Sequence, residues 1–352
     1  MRVNSKIIDV DVHNQLKSSN DLLPYLSEPW RSRVADYGIG LPDRGYPSPI
    51  GVLRRDCKPP GGGPAASDPA YLVKDLIEPY RIEYALLTGN MDGVSTMHDP
   101  DYAAAVASAY NDFLVAEWLG KHDSFRGCMV VATQDPALAV REIDRMAEHQ
   151  EIVSIIISSA QRNLLGQRQF HPIYEAAERH GLPIAIHPGF EGAGITLPPT
   201  ASGYPTRYLE YHTCLSQNYM AHVTSLVCEG VFEKYPNLKF VCLEGGVAWL
   251  PHLMWRLDKN FKALRATTPW LKQMPSAYIR SNCRFSTQPI EEPDNPRDLL
   301  AIFEMIDAEN ILMFSSDYPH WDNDNPSEIL RRLGSDARQK IFYQNAKDLY
   351  RL

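Results

Sequence analysis

Eight short apolar runs alternate with eight helix-period segments along 352 residues. That alternation predicts a parallel barrel of eight strands joined by crossover helices, a (β/α)8 TIM barrel of class α/β. Two further observations agree. The length suits one such barrel with insertions, read as a single domain over 1–352. A doubly wound sheet usually carries a glycine-rich phosphate loop after its first strand, whereas here the first strand runs into Asp-Val-Asp-Val-His-Asn.

The elements follow in order. The first strand, 6–12 (KIIDVDV), is β-branched and apolar at alternate positions. Residues 14–68 break the rhythm with Pro24, Pro29, Pro42, Pro47, Pro49, Pro59, Pro60, Pro64 and the run Gly61–Gly63, and are read as an inserted lid. A helix over 69–81 leads to strand 84–88 (YALLT), then helix 100–120 to strand 127–132 (GCMVVA). Helix 137–149 precedes strand 152–158 (IVSIIIS), and helix 170–180 precedes strand 183–187 (PIAIH). After an irregular stretch, 189–216, come helix 217–234, strand 238–243 (LKFVCL), helix 248–264 and strand 278–285 (YIRSNCRF). Helix 296–308, strand 311–316 (ILMFSS) and helix 335–350 close the chain.

Composition removes several function classes. Hydrophobic residues at 44% and charged residues at 22% exclude collagen, coiled coil and bulk disorder. A net charge of −8 provides no basic face for a nucleic-acid backbone or an anionic leaflet, so the expected partner is a small molecule. No run approaches the roughly 18 apolar residues of a membrane span, and MRVNSKIIDVDVH has no apolar signal core. The six cysteines lie far apart without a C-x-x-C, which argues against a zinc ribbon or a disulfide framework and for a reducing cytoplasm.

In a barrel of this kind the C-terminal strand ends build the site. Four of them carry metal-capable groups: Asp9, Asp11 and His13 after the first strand, His187 after the fifth, Glu244 after the sixth, and Asp317 and His320 after the eighth. Alternation places Asp9, Asp11 and His13 on one side of their strand, with Asp11 and His13 nearest the mouth. Two ligands spaced two apart on a strand is a geometry that chelation uses. Four converging strand ends strengthen the signal.

The segments DVDVH, AIHPG, GVFEKYPNLKFVCLEGG and MFSSDYPH resemble, in order and placement, the amidohydrolase-related family. That family contains metal-dependent hydrolases and non-oxidative aromatic-acid decarboxylases similar to aminocarboxymuconate-semialdehyde decarboxylase. The resemblance spans essentially the whole chain and implies Asp11, His13, His187 and Asp317 as ligands of a divalent metal. It implies hydrolysis or non-oxidative decarboxylation of a small, carboxylate-bearing substrate through a metal-activated water, with Asp317 as first candidate base and Glu244 and His320 as further catalytic candidates.

The chain departs from the family pattern at two positions. Asp11-x-His13 replaces HxH or ExH, which keeps a ligand, and Glu244 replaces a catalytic His. Asp11, Glu244 and Asp317 would surround one cation with three negative charges. Either Glu244 is protonated or orients a ligand imidazole, or it belongs to a second ion completed by His212, His222 or His320. Mixed carboxylate and imidazole ligation suits Zn, Mn or Fe, as one ion or a dinuclear pair. A dinuclear non-haem Fe or Mn oxygenase on the same barrel is the alternative activity, and a non-catalytic paralogue serving as partner subunit a second alternative. Self-association as a homodimer or larger homo-oligomer, or pairing with a paralogous subunit, is expected. Arg54, Arg162 and Arg207 are the arginines considered for a substrate carboxylate, and Trp321 is the aromatic nearest the ligand loop.

Overall fold

The computed structural model describes residues 6–352. Eight parallel strands follow one another around the sheet in sequence order: β1 (Ile7–Val12), β2 (Ile82–Leu87), β3 (Phe125–Val130), β4 (Ile152–Ser158), β5 (Ile184–His187), β6 (Phe240–Cys242), β7 (Cys283–Ser286) and β8 (Leu312–Met313). The circle closes through β1, where Val10 N donates to Phe314 O, Asp317 N to Asp11 O and His13 N to Tyr318 O. Both faces of the strands are covered, by helices outside and side chains inside. That is why β4 reads as a continuous apolar run and is buried at every residue.

Four crossover helices begin at an Asx-Pro pair, the first of them at Asp68-Pro69, where Asp68 accepts Tyr71 N. Asp99, Asp135 and Asn295 each accept a backbone N–H of the first turn, and the following proline supplies the preset φ and lacks the N–H that would be orphaned there. These caps fix where Pro100–Glu117, Pro136–Met146 and Pro296–Ile306 start.

Four expectations need adjustment. Residues 278–282, read as the start of strand seven, belong to the helix Pro275–Asn282, and β7 begins only at Cys283. Pro275 opens that helix, and Tyr278, Ile279 and Asn282 form its buried face, a helical spacing that a short apolar run conceals. The helix over 217–234 is two pieces, Ser216–Cys228 and Val231–Lys234, parted at Gly230 with φ 72°. β8 pairs with β7 only over Leu312–Met313, and beyond it the chain turns its hydrogen bonds to β1. The segments 69–81 and 335–350 each contain a π-helical turn, Val73–Ile77 and Lys340–Gln344, where the helix takes an extra residue.

Residues 14–68 are ordered with little regular structure, a 3-10 turn at Ser19–Tyr25 and a helix at Trp30–Tyr37. Their second half lies across the strand C-termini. Gly45 N donates to Glu191 O, Arg54 N to Pro319 O, and Trp321 N to Val52 O. Gly45 and Gly192 touch backbone to backbone, since a Cβ on Gly45 would sit 2.6 Å from the Gly192 Cα. Among the described residues no helix is long and apolar enough to cross a membrane.

Candidate metal centre

Asp11, His13, His187 and Asp317 meet at the C-terminal mouth of the barrel, all buried, with one ligand atom from each lying within 4.8 Å of the others. His13 Nε2 is 3.3 Å from Asp11 Oδ1 and 3.0 Å from Asp317 Oδ1, while His187 Nε2 is 3.5 Å from Asp11 Oδ2. The tautomers are set from behind. His13 Nδ1 donates to Gly89 O at 2.5 Å and His187 Nδ1 to Pro188 O at 2.6 Å, which leaves each Nε2 lone pair facing inward. Both Nε2 atoms and Asp11 Oδ2 are buried without a hydrogen-bond partner. Orphaned acceptors of this kind are costly unless something electropositive satisfies them, so this donor set fits a divalent cation.

Surrounding groups hold the carboxylates. Thr88 Oγ1 donates to Asp11 Oδ1 at 2.7 Å and Gln288 Nε2 to Asp317 Oδ2 at 3.2 Å. Asp317 and Glu244 both sit just past their strands in the left-handed region, φ 57° and 56°, which turns each side chain inward at a backbone cost. Asp9, on the same side of β1, points deeper and ties β1 to the β8 end by accepting Ser316 N at 2.9 Å. Burial pushes its carboxyl up to about 7.

His320 Nδ1 lies 2.5 Å from Asp317 Oδ1, close enough for the pair to share one proton. Burial, and then the nearby Glu244 charge, drive Asp317 well above the usual carboxylate range, and burial holds His320 below the usual imidazole range. Glu244 Oε2 lies 3.1 Å from His187 Nε2 and Oε1 3.7 Å from His212 Nε2. Burial alone would raise Glu244, but the two imidazoles outweigh it and hold the group ionised.

His222, considered for a second ion, is elsewhere. Its Nε2 bonds Ser159 O at 2.8 Å and its Nδ1 accepts Leu165 N at 3.3 Å, so both nitrogens are spent on backbone and it is a packed core histidine. Among the arginines considered, Arg54 is tied to Asp56 and Asn323. Arg44, which the sequence reading passed over, lies in the wall of the pocket formed with His13, Tyr46, His187, Tyr208, Tyr211, Glu244 and Trp321. Its guanidinium rests on the Phe190 ring at 4.9 Å and has no salt-bridge partner among the described residues. Asp322 was also passed over, and its Oδ2 is 3.3 Å from His212 Nε2. A carboxylate five residues beyond Asp317, in a loop already holding one candidate ligand, was the available signal.

The pocket is tight, about 40 Å³, with Tyr46 stacked on Tyr211 at 3.5 Å between ring centroids. A larger cavity of about 460 Å³ lies at the opposite end of the strands, around Leu182, Lys239 and Arg284, away from these groups.

Residues 8–352 match the sequence profile of the amidohydrolase family. The chain belongs to that family. The chain is 26% identical over 302 residues to the γ-resorcylate decarboxylase of Polaromonas sp. strain JS666, covering 79% of this chain and 86% of the relative. Among solved structures, 5-carboxyvanillate decarboxylase from Novosphingobium aromaticivorans, complexed with manganese and 4-hydroxy-3-methoxy-5-nitrobenzoic acid, shares the fold with TM-score 0.72 and 22% identity over 99% of this chain and 97% of its own. The dihydroxybenzoic acid decarboxylase of Polaromonas sp. JS666, with bound manganese and 2-nitroresorcinol, superimposes with TM-score 0.69 and 19% identity over 99% and 97%.

Proposed function

We propose that this member of the amidohydrolase family is a divalent-metal-dependent carboxy-lyase that removes CO2, without oxidant, from a hydroxylated aromatic carboxylate. The observation that carries the proposal is that one carboxylate serves two arrangements. Asp317 Oδ1 lies 3.0 Å from His13 Nε2 in the cation cluster and 2.5 Å from His320 Nδ1 in a proton-sharing pair. The solved decarboxylases of the same fold that hold manganese support the reading.

Asp11, His13, His187 and Asp317 would hold the cation. When bound, it supplies Lewis acidity, polarising oxygen ligands and lowering the pKa of water. The remaining work falls to side chains. Arg44 binds the anionic end of the substrate, and Tyr46, Tyr208, Tyr211 and Trp321 face its ring. The proton shared by Asp317 and His320 passes to the ring carbon bearing the carboxylate. The C–C bond then breaks, its electrons restore aromaticity, and CO2 leaves. Segment 14–68 acts as the lid, because a pocket of about 40 Å³ is too small for an aromatic acid until Tyr46 and Val52 move.

The test is anaerobic incubation of Mn(II)-loaded protein with 2,6-dihydroxybenzoate and 5-carboxyvanillate, reading CO2 and the decarboxylated phenol. Product without O2 is expected. Turnover that demands O2 and a reductant replaces this reading with the oxygenase, the second reading, which the His212, Glu244 and Asp322 cluster favours. The six cysteines are all free, which supports a reducing cytoplasm. Self-association is proposed from the exposed Trp255, Leu264 and Trp270, with sedimentation as its check.

A further inference from the structure

We propose that a second divalent cation binds beside the first, held by His212 and Asp322 and by Glu244, whose carboxylate is shared between the two ions. This builds on the cation reading of Asp11, His13, His187 and Asp317 and is independent of which reaction follows.

The three residues come from different loops, after β5, β6 and β8, and place one ligand atom each within 4.8 Å of the others. His212 Nε2 is 3.3 Å from Asp322 Oδ2 and 3.7 Å from Glu244 Oε1. An imidazole paired directly with a carboxylate closes further. In this molecule His180 Nε2 sits 2.7 Å from Asp144 Oδ1, and charge-assisted bonds generally fall at about 2.7–2.9 Å. Ligand atoms about 2.1 Å from a common ion are instead separated by about 3.0–3.5 Å. The spacing around His212 is nearer the second pattern, as is the spacing of 3.0–3.5 Å in the first cluster.

The satisfaction of polar atoms points the same way. His212 Nε2 and Asp322 Oδ2 are buried without a hydrogen-bond partner, and Glu244, the residue between the clusters, is 8% exposed. Its two oxygens face different imidazoles, Oε2 that of His187 and Oε1 that of His212, which is the disposition of a bridging carboxylate. Charge completes the argument. Asp11 and Asp317 balance one dication; Glu244 and Asp322 would balance another. With one ion the second pair of carboxylates faces His212 alone in a partly buried site, which is unfavourable. Mixed imidazole and carboxylate ligation selects a first-row ion such as Mn, Fe or Zn, and such pairs lie about 3.5–4 Å apart.

The experiment is titration of chelator-treated protein with Mn(II), reading bound metal by elemental analysis and spin coupling by electron paramagnetic resonance. Two equivalents with a coupled spectrum are expected. Asp322→Asn and His212→Gln should each fall to one equivalent with the hyperfine spectrum of an isolated ion. If wild type binds one equivalent and Asp317→Asn abolishes it, the second site is overturned and the first stands. Two equivalents retained in both Asp322→Asn and His212→Gln would also overturn it, and no binding by wild type overturns both sites.

Discussion

Glu244 and His187 face each other at the ends of adjacent strands, with Oε2 3.1 Å from Nε2, although His187 already belongs to the cluster with Asp11. In the proposed two-ion arrangement the contact makes Glu244 the joint between the two clusters. Glu244→Gln keeps shape and hydrogen bonding but removes the charge. Bound Mn(II) should drop from two equivalents to one with the first site still filled, and kcat should fall about 10–100-fold. Elemental analysis beside wild type decides it; an unchanged stoichiometry means that Glu244 only orients His187.

His187→Ala removes a proposed ligand whose Nδ1 bond to Pro188 O aims Nε2 into the cluster. Metal affinity should fall by more than the about 10–100-fold typical of losing an outer partner, and turnover should vanish with it. Full occupancy in this variant, measured by elemental analysis, would remove His187 from the ligand set.

Metal removal should also cost stability, because only the folded chain assembles the four proposed ligands, Asp11, His13, His187 and Asp317. Adding Mn(II) at 100 times its dissociation constant to chelated protein should recover about 2.7 kcal/mol, seen as a concentration-dependent rise in Tm. A Tm indifferent to Mn(II) would contradict the buried cation site.

What the sequence disclosed and what it concealed divide along a physical line. Period-2 and helical patterns are local, so strand alternation and the shared side of Asp9, Asp11 and His13 were legible in the residues themselves. Strand seven was misplaced because Tyr278-Ile279 suits either element, and only burial against its neighbours separates helix from strand there. Arg44 and Asp322 were harder to find for a different reason. Each sits in an irregular loop, where no periodicity tells which way a side chain points, and only the packing of 14–68 over the mouth brings Arg44 to the pocket. His222 shows the converse: metal-capable chemistry in the right region, spent on backbone bonds that no spacing reveals.

Gly89 links backbone conformation to the site. It has φ 66°, its carbonyl fixes the His13 tautomer, and a Cβ there would lie 1.9 Å from Tyr110 Oη. Gly89→Ala therefore combines left-handed strain with overpacking, a loss of about 2–4 kcal/mol in urea unfolding. Metal affinity should weaken as well, by about 10–100-fold, because His13 loses its orientation. Tyr110→Phe removes the nearest clashing atom and should restore part of the stability. Equal instability with and without that second change would mean that the backbone strain, and not the clash, dominates.

Arg44 provides the sharpest test of how the substrate binds. Its guanidinium borders the cation cluster from the 14–68 segment, lies against the Phe190 ring and has no carboxylate partner of its own among the described residues. Burial disfavours its charge, but the strongly basic guanidinium stays protonated, with the Asp92 carboxyl near it. A half-buried cation with no carboxylate at ion-pair distance among the described residues is left with bonding capacity that an anionic ligand can take up. Arg44→Gln removes charge-assisted bonds each contributing about 1.5–3 kcal/mol, so KM for an aromatic carboxylate should rise about 10–150-fold. The value of kcat should change far less, since the proton is held at Asp317 and His320. Arg44→Lys keeps the charge but not the planar fork, and should recover only part of the binding. A variant that loses kcat while KM holds would place Arg44 with the reacting bond and not with the anchoring of the carboxylate.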